Sequence, residues 1–375
     1  MFTLLCCLLL SAVPVSAAQE VPAVSAEAAV LMDRDSGRII FEKNSDRSME
    51  IASTTKIMTA LVVLERCRPE QEVHIRHEWT CTEGSSMYLR AGGTYTVGEL
   101  LTGLLLVSGN DAARALACHT AGSEEAFAAL MNEKARELGM EGSHFMNPHG
   151  LSQEGHYATA RDLGVLTCTA LRNPDFAALC ATRYAEVQGV AMTNHNKLLW
   201  QYEGASGVKT GYTKSAGRAL VSCAQREDTG LVCVTLNDPD DWRDHAALLD
   251  WGFAHYESRD MSGEAWQLPV VSGVESRVSV TAKDGDRVFL EKDEAQSLRV
   301  VLPRFVYAPV YAGERAGSLQ LLDGDGTILW EMELVYGQSV ALDGAVPLNF
   351  WEKLRWSWYF ACRNGYQSYP VYPFC

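Results

Sequence analysis

Cations are scarce in this chain. Its 375 residues hold 32 Lys and Arg against 47 Asp and Glu, a formal net charge of −15. Phosphate binding needs concentrated Lys and Arg, so nucleic acid is not an expected partner. A general attraction to anionic lipid is disfavoured for the same reason. The acidity reads first as a solubility property. Neither a CxxC pair nor an HExxH string occurs, so no zinc site is expected and no cofactor is. Internal repeats and low-complexity tracts are also missing. The apolar run at residues 2–12 is too short to anchor stably across a bilayer, and no Lys or Arg precedes it.

That short run is followed by Val15, Ser16, Ala17 and Ala18, where small residues suit an export signal peptidase. Residues 1–18 therefore read as a signal peptide, the bland alternative being a buried N-terminal strand or helix. Cleavage would remove Cys6 and Cys7 and leave nine of the 11 cysteines, so a monomer must keep one thiol unpaired. Most sit in apolar runs, as Cys118 and Cys233 do, and look like small buried hydrophobes rather than a disulfide framework.

The length favours two domains plus terminal extras, and an apolar share of 47% suits a real core. Residues 28–42 read as a β-hairpin turning at Asp35, Ser36 and Gly37. Ser53 to about Arg66 is a helix pattern entered through capping Ser and Thr residues, apolar nearly all round and so central. Further helix patterns cover 97–107, 111–121, 124–138, about 159–172 and about 243–256. Lys209 is expected to begin a strand that leads into Arg218 to Ala224, with a return strand from Leu231 to Leu236. Strands at both ends with helices between them imply an α+β domain, its antiparallel sheet packed by helices, over residues 24–257. Residues 264–345 alternate and turn as a small all-β domain without chemical motifs. In the tail, 347–375, Phe350, Trp351, Leu354 and Trp358 share a helical face with Lys353 and Arg355 off it. Such a helix suits the membrane interface; docking on the β domain is the equal alternative.

Three strings carry the chemistry: Ser53-Thr54-Thr55-Lys56, Ser108-Gly109-Asn110 and Lys209-Thr210-Gly211. A serine hydroxyl is a poor nucleophile at neutral pH and needs a base close by. Ser53 and Lys56, three apart on a helix, are neighbours on one face. A lysine that is partly buried near another cation has its charged form disfavoured, so it can act as base. Ser108 would carry protons between Lys56 and a leaving amine, while Asn110 orients Lys56 or the substrate. Lys209 and Thr210 could hold a terminal carboxylate beside a strand edge that pairs with a peptide, and Gly211 allows close approach. Taken singly, each string has a plain reading: a helix cap with a solvated lysine, a helix–helix turn, a strand start. Together, in this order, they form the signature of serine acyl-transferases that recognise penicillin.

With Asn147 to Leu151 and Gly155 to Leu163, these strings make residues 24–257 resemble the low-molecular-weight penicillin-binding proteins, serine-type D-alanyl-D-alanine carboxypeptidases of bacterial cell-wall metabolism. The resemblance implies a penicillin-binding/β-lactamase-like fold followed by a small all-β domain. Ser53 would be acylated by the penultimate D-alanine of a peptidoglycan stem peptide, D-alanine would leave, and water would release the shortened peptide. Lys56 would be the general base, and Ser108 and Asn110 would complete the proton path. Lys209, Thr210, Gly211 and Tyr212 would bind substrate, the oxyanion resting on the N–H groups of Ser53 and Tyr212. An arginine near the substrate carboxylate would be Arg243. β-Lactams would be inhibitors, the protein would be exported, and the tail could touch the membrane peripherally.

A class A β-lactamase shares the acylation parts but activates its deacylating water with a glutamate in an ExxLN-like string. Between the second and third motifs stands only Glu154-Gly155-His156-Tyr157, so slow deacylation is expected. A DD-endopeptidase or transpeptidase would use the same site. A non-catalytic peptidoglycan-binding homologue would have lost a motif side chain, and none is lost.

Overall fold

The computed structural model describes residues 21–260, 265–282, 287–292 and 297–344. The expected signal peptide and aromatic tail lie outside the described residues.

The expected hairpin forms from β1 (Ala28–Asp33) and β2 (Ile39–Lys43). A 3-10 turn, Ala52–Thr55, then runs into α1 (Lys56–Arg66). The capping expected of its Ser and Thr residues does not occur. Thr54 and Thr55 instead donate back to the carbonyls of Ile51 and Ala52, at 2.6 and 2.8 Å, and tighten the turn. Every residue of α1 from Lys56 to Val63 is buried, as its all-round apolar pattern predicts.

A ribbon of β3 (Glu72–His74) and β4 (Thr94–Thr96) encloses the single turn α2 (His77–Thr80). Next come α3 (Val97–Leu106), α4 (Asn110–Ala121) and α5 (Glu124–Glu137). Thr96 and Glu99 form a reciprocal capping box at α3, which satisfies two otherwise orphaned N–H groups. Ser123 and Thr159 cap α5 and α6 (Ala160–Ala170) in the simpler way. Helix α7 (Pro174–Ala181), the ribbon of β5 (Tyr184–Val187) and β6 (Val190–Thr193), and the turn α8 (Leu198–Gln201) follow.

The strands β7 (Ala205–Thr213), β8 (Gly217–Arg226) and β9 (Thr229–Leu236) complete a five-stranded antiparallel sheet with the hairpin, in the order β2-β1-β9-β8-β7. Lys209 therefore sits inside β7 and does not begin it, a correction to the expected strand start. β7 ends the sheet, so one of its edges faces the helices. Helices α1, α3, α4 and α6 pack against the sheet in one core with Val30, Met32, Val221 and Val234. Helix α9 (Asp241–His255) covers the other face, where Leu248 and Leu249 meet Leu31 and Cys233. This is the expected α+β arrangement.

After β10 (Tyr256–Asp260) the described residues are all-β: β11 (Ala265–Val271), β12 (Arg277–Ala282), β13 (Arg287–Glu291), β14 (Ser297–Val301), β15 (Val306–Tyr307), β16 (Arg315–Leu322) and β17 (Ile328–Tyr336). Six of these strands form a sheet in the order β14-β16-β17-β12-β11-β15. β13 instead pairs with β10, and Phe289 stacks on Tyr256 with ring centroids 5.3 Å apart. This ladder ties the β region to the core under α9.

The seven cysteines within the described residues are free thiols, and Cys168, Cys180, Cys223 and Cys233 are buried as small hydrophobes. Among the described residues no helix is long and apolar enough to cross a membrane, and no group of three His, Cys, Asp or Glu could hold a metal ion.

Candidate active site

Lys56 is the centre of the site. It is fully buried, and its Nζ meets three oxygens: Ser53 Oγ at 3.0 Å, Asn110 Oδ1 at 2.7 Å and the His149 carbonyl at 2.6 Å. Ser53 lies in the 3-10 turn, where side chains at i and i+3 eclipse, and this brings its hydroxyl under the Lys56 amine. Burial lowers the Lys56 pKa well below that of an ordinary lysine, and the nearby Lys209 charge lowers it further, with Asp111 opposing both. The amine is therefore driven toward its neutral, basic form.

Asn110 opens α4 and is fixed at both ends of its amide. Its Nδ2 donates to the Glu83 carbonyl at 2.6 Å, and its backbone N–H donates to Ser85 O at 2.8 Å. Asp111 beside it accepts from Ser86 Oγ and from the N–H groups of Met87 and Leu89. The loop between α3 and α4 is thereby locked onto residues 83–89. Ser108 is held in that loop at φ +62°, and its buried Oγ has no hydrogen-bond partner. Buried hydroxyls nearly always have one. Of the two residues expected to complete the proton path, Asn110 hydrogen-bonds Lys56, and the Ser108 hydroxyl makes no hydrogen bond.

The third string approaches from β7. Lys209 is 1% exposed, its Nζ donates to the Thr210 carbonyl at 2.9 Å, and burial pushes its pKa down to about 7. Gly211 presses against the nucleophile turn: a Cβ there would stand 3.1 Å from both Ile51 O and Ser53 N. Tyr212 follows, 67% exposed, and pairs in register with Arg218 across β7 and β8. Arg218 binds Asp241 and covers Trp242. Arg243, the expected carboxylate arginine, is exposed on α9 and pairs with Asp240 and Asp244.

Two supports escaped the sequence reading. Asn147 to Leu151 forms a turn beneath Ser53, and Gly150, at φ +86°, lies so close to Ala52 O that no side chain fits there. His156 Nδ1 accepts from the Met146 N–H, which leaves the ring proton on Nε2 to reach Thr55 Oγ1 at 2.8 Å. Burial holds its pKa down at about 4. On the outer rim, Glu50 accepts from Ser152 and Ser215, joining this segment to the β7–β8 turn. A backbone carbonyl carries no sequence signature. The strings Asn147 to Leu151 and Gly155 to Leu163 were visible, but not what they touch.

A buried amine driven toward its neutral form against a serine hydroxyl, beside a strand edge and a second buried lysine, is built for acyl transfer to serine. The comparisons agree. The peptidase S11 family, described as D-alanyl-D-alanine carboxypeptidase, matches residues 15–240. The D-alanyl-D-alanine carboxypeptidase DacC of Escherichia coli is 32% identical over 80% of this chain and 80% of its own. DacF of Bacillus subtilis, of the same name, is 29% identical over 88% of this chain and 91% of its own. The fold is similar to penicillin binding protein 5 from Haemophilus influenzae, with a TM-score of 0.72 and 28% identity, covering 85% of this chain and 98% of that one.

Proposed function

Because the chain belongs to the D-alanyl-D-alanine carboxypeptidase family, we propose that Ser53 is its nucleophile and Lys56 the general base of the family reaction. The protein is a serine-type D-alanyl-D-alanine carboxypeptidase, a hydrolase of the penicillin-binding kind. The observation that carries the residue assignment is the buried Lys56 amine 3.0 Å from Ser53 Oγ.

Lys56 takes the Ser53 proton as Oγ attacks the carbonyl of the penultimate D-alanine of a peptidoglycan stem peptide. The oxyanion rests on the N–H groups of Ser53 and Tyr212; one such donor is typically worth about 3 kcal/mol. Ser108, its hydroxyl otherwise unpartnered, passes a proton to the leaving amine, and D-alanine departs. Water then cleaves the ester, Lys56 again serving as base. Lys209 and Thr210 hold the terminal carboxylate, and Gly211 lets the peptide lie along the edge of β7.

β-Lactams enter as substrate mimics and stay. Glu154 is exposed on its loop and is not expected to activate water at the ester, so release is slow. Export and action outside the cytoplasm fit a peptidoglycan substrate. Residues 24–257 form the catalytic domain, and residues 264–345 act as a spacer or partner module. The tail at 347–375 gives peripheral membrane contact. Mass spectrometry after benzylpenicillin treatment tests both readings: a long-lived adduct mapping to Ser53 supports them, an adduct elsewhere overturns the residue assignment, and rapid multiple turnover of penicillin overturns slow release.

A further inference from the structure

Of the three oxygens around Lys56, only the His149 carbonyl is supplied by no motif side chain. A neutral amine has two N–H donors and one lone pair. In the neutral form that a base requires, Asn110 Oδ1 at 2.7 Å and His149 O at 2.6 Å would take the two hydrogens and leave the lone pair for Ser53 Oγ at 3.0 Å. The aim of the base therefore depends on where the His149 carbonyl stands.

That carbonyl belongs to a turn braced on several sides. Asn147 Oδ1 accepts from the Gly150 N–H at 2.8 Å, and Pro148 O accepts from Thr59 Oγ1 at 2.6 Å. The His149 ring is itself buried, and its Nδ1 accepts from the Leu151 N–H at 3.2 Å. The ring proton is thus on Nε2, which faces Glu124 Oε2 at 3.4 Å. Glu124 opens α5, where the helix dipole favours a carboxylate. Arg114 Nε donates to it at 2.6 Å, and the same guanidinium donates to the carbonyls of Glu78 and Cys81. Nothing in the three catalytic strings requires this chain of contacts.

We propose that Glu124 is a positioning residue for Lys56, acting through the His149 ring to fix the carbonyl that aims the Lys56 lone pair at Ser53. It works at second hand, across one imidazole and one peptide group. Other charges act on the same machinery: Lys209 and Asp111 on Lys56 directly, and Arg114 on both Glu124 and His149. Glu125 and His144 border the cleft of about 490 Å³ that Glu124 and His149 line.

The inference rests on Ser53 and Lys56 as nucleophile and base, and the test separates the two. The rate of Ser53 acylation by benzylpenicillin and the kcat and KM of D-alanine release are followed against pH in the full-length protein. Glu124→Ala is expected to lower acylation and kcat about tenfold, since small misplacement of a catalytic group is costly, with KM unchanged. Its acid limb should also move to lower pH, because the Lys56 ammonium loses a well-placed charge-assisted acceptor. Glu124→Gln, whose amide oxygen still accepts from His149 Nε2, should restore both. If Glu124→Ala fails to fold, Glu124→Met fills the space without the carboxylate. A folded Ala or Met variant with unchanged acylation and acid limb overturns the proposal, as does a Gln variant no better than Ala. Either result leaves the Ser53 assignment intact, which fails instead if acylation survives Ser53→Ala.

Discussion

A Cβ added to Gly211 would stand 3.1 Å from the backbone nitrogen of Ser53. The strand that carries the third motif is therefore packed directly on the turn that carries the first. The other close neighbours are Ile51 O at 3.1 Å and Ala52 Cβ at 3.2 Å, and backbone atoms cannot rotate aside. Gly211→Ala should push β7 and the nucleophile turn apart by a few tenths of an ångström. The expected result is a loss of roughly 10- to 100-fold in kcat/KM for D-alanine release, with little change in Tm. Kinetics equal to the wild type would show that this contact does not set the geometry.

Asn110→Asp would set a carboxylate against Lys56 Nζ, where the amide oxygen now stands at 2.7 Å. An opposite charge at that distance favours the ammonium, raising a lysine pKa by about 1–3 units. The sign follows: more alkaline solution is needed to free the base. The acid limb of the penicillin acylation profile should move to higher pH by that amount. An unmoved limb would mean that Lys56 is not the group titrating.

Lys209 gives a different pH dependence. Its folded pKa is about 7 against an ordinary 10.5, so the free enzyme loses the charge that clamps the substrate carboxylate as pH rises through about 7. A bound carboxylate pulls the pKa back up. For a peptide ending in a free carboxylate, kcat/KM should fall above pH 7 while kcat holds to higher pH. The matching C-terminal methyl ester should show no such fall, and steady-state profiles of the two substrates decide it.

His156 links the site to acid stability. Its pKa is about 4 in the fold against 6.5 ordinarily, so between those values the unfolded chain binds a proton that the folded chain refuses. Stability is lost as pH falls from 6.5 toward 4, by roughly 3 kcal/mol in all. His245, also buried with a depressed pKa, adds its own loss, so the comparison needs a variant. Denaturant titrations of the wild type and His156→Gln at pH 4.5 and 7.5 should show a smaller drop in the variant. Equal drops would remove His156 from the account.

Much of this was legible in the sequence because the strongest signals are periodic or covalently close. The hairpin at 28–42, the buried helix after Ser53 and the break at Ser108 follow from spacing and turn residues. Lys209 was read as a strand start because Ala205, Ser206 and Gly207 are small and give no alternation, although their backbone pairs with β8. Helix α7 carries a readable start signal, Asn173 capping ahead of Pro174. The Lys56–His149 bond was not readable at all, since it ends on a backbone oxygen 93 residues away. That the Ser108 hydroxyl would stand without a hydrogen-bond partner was equally unreadable, because a motif specifies residue type but not rotamer.

The central claim is that Ser53 is the nucleophile that removes the terminal D-alanine. It is tested most directly by D-alanine release from a synthetic stem pentapeptide ending in D-Ala-D-Ala, with Ser53→Ala in parallel. Release by the wild type that disappears in the folded variant is the predicted result. Release that persists in Ser53→Ala, or none from folded wild-type protein, would contradict it.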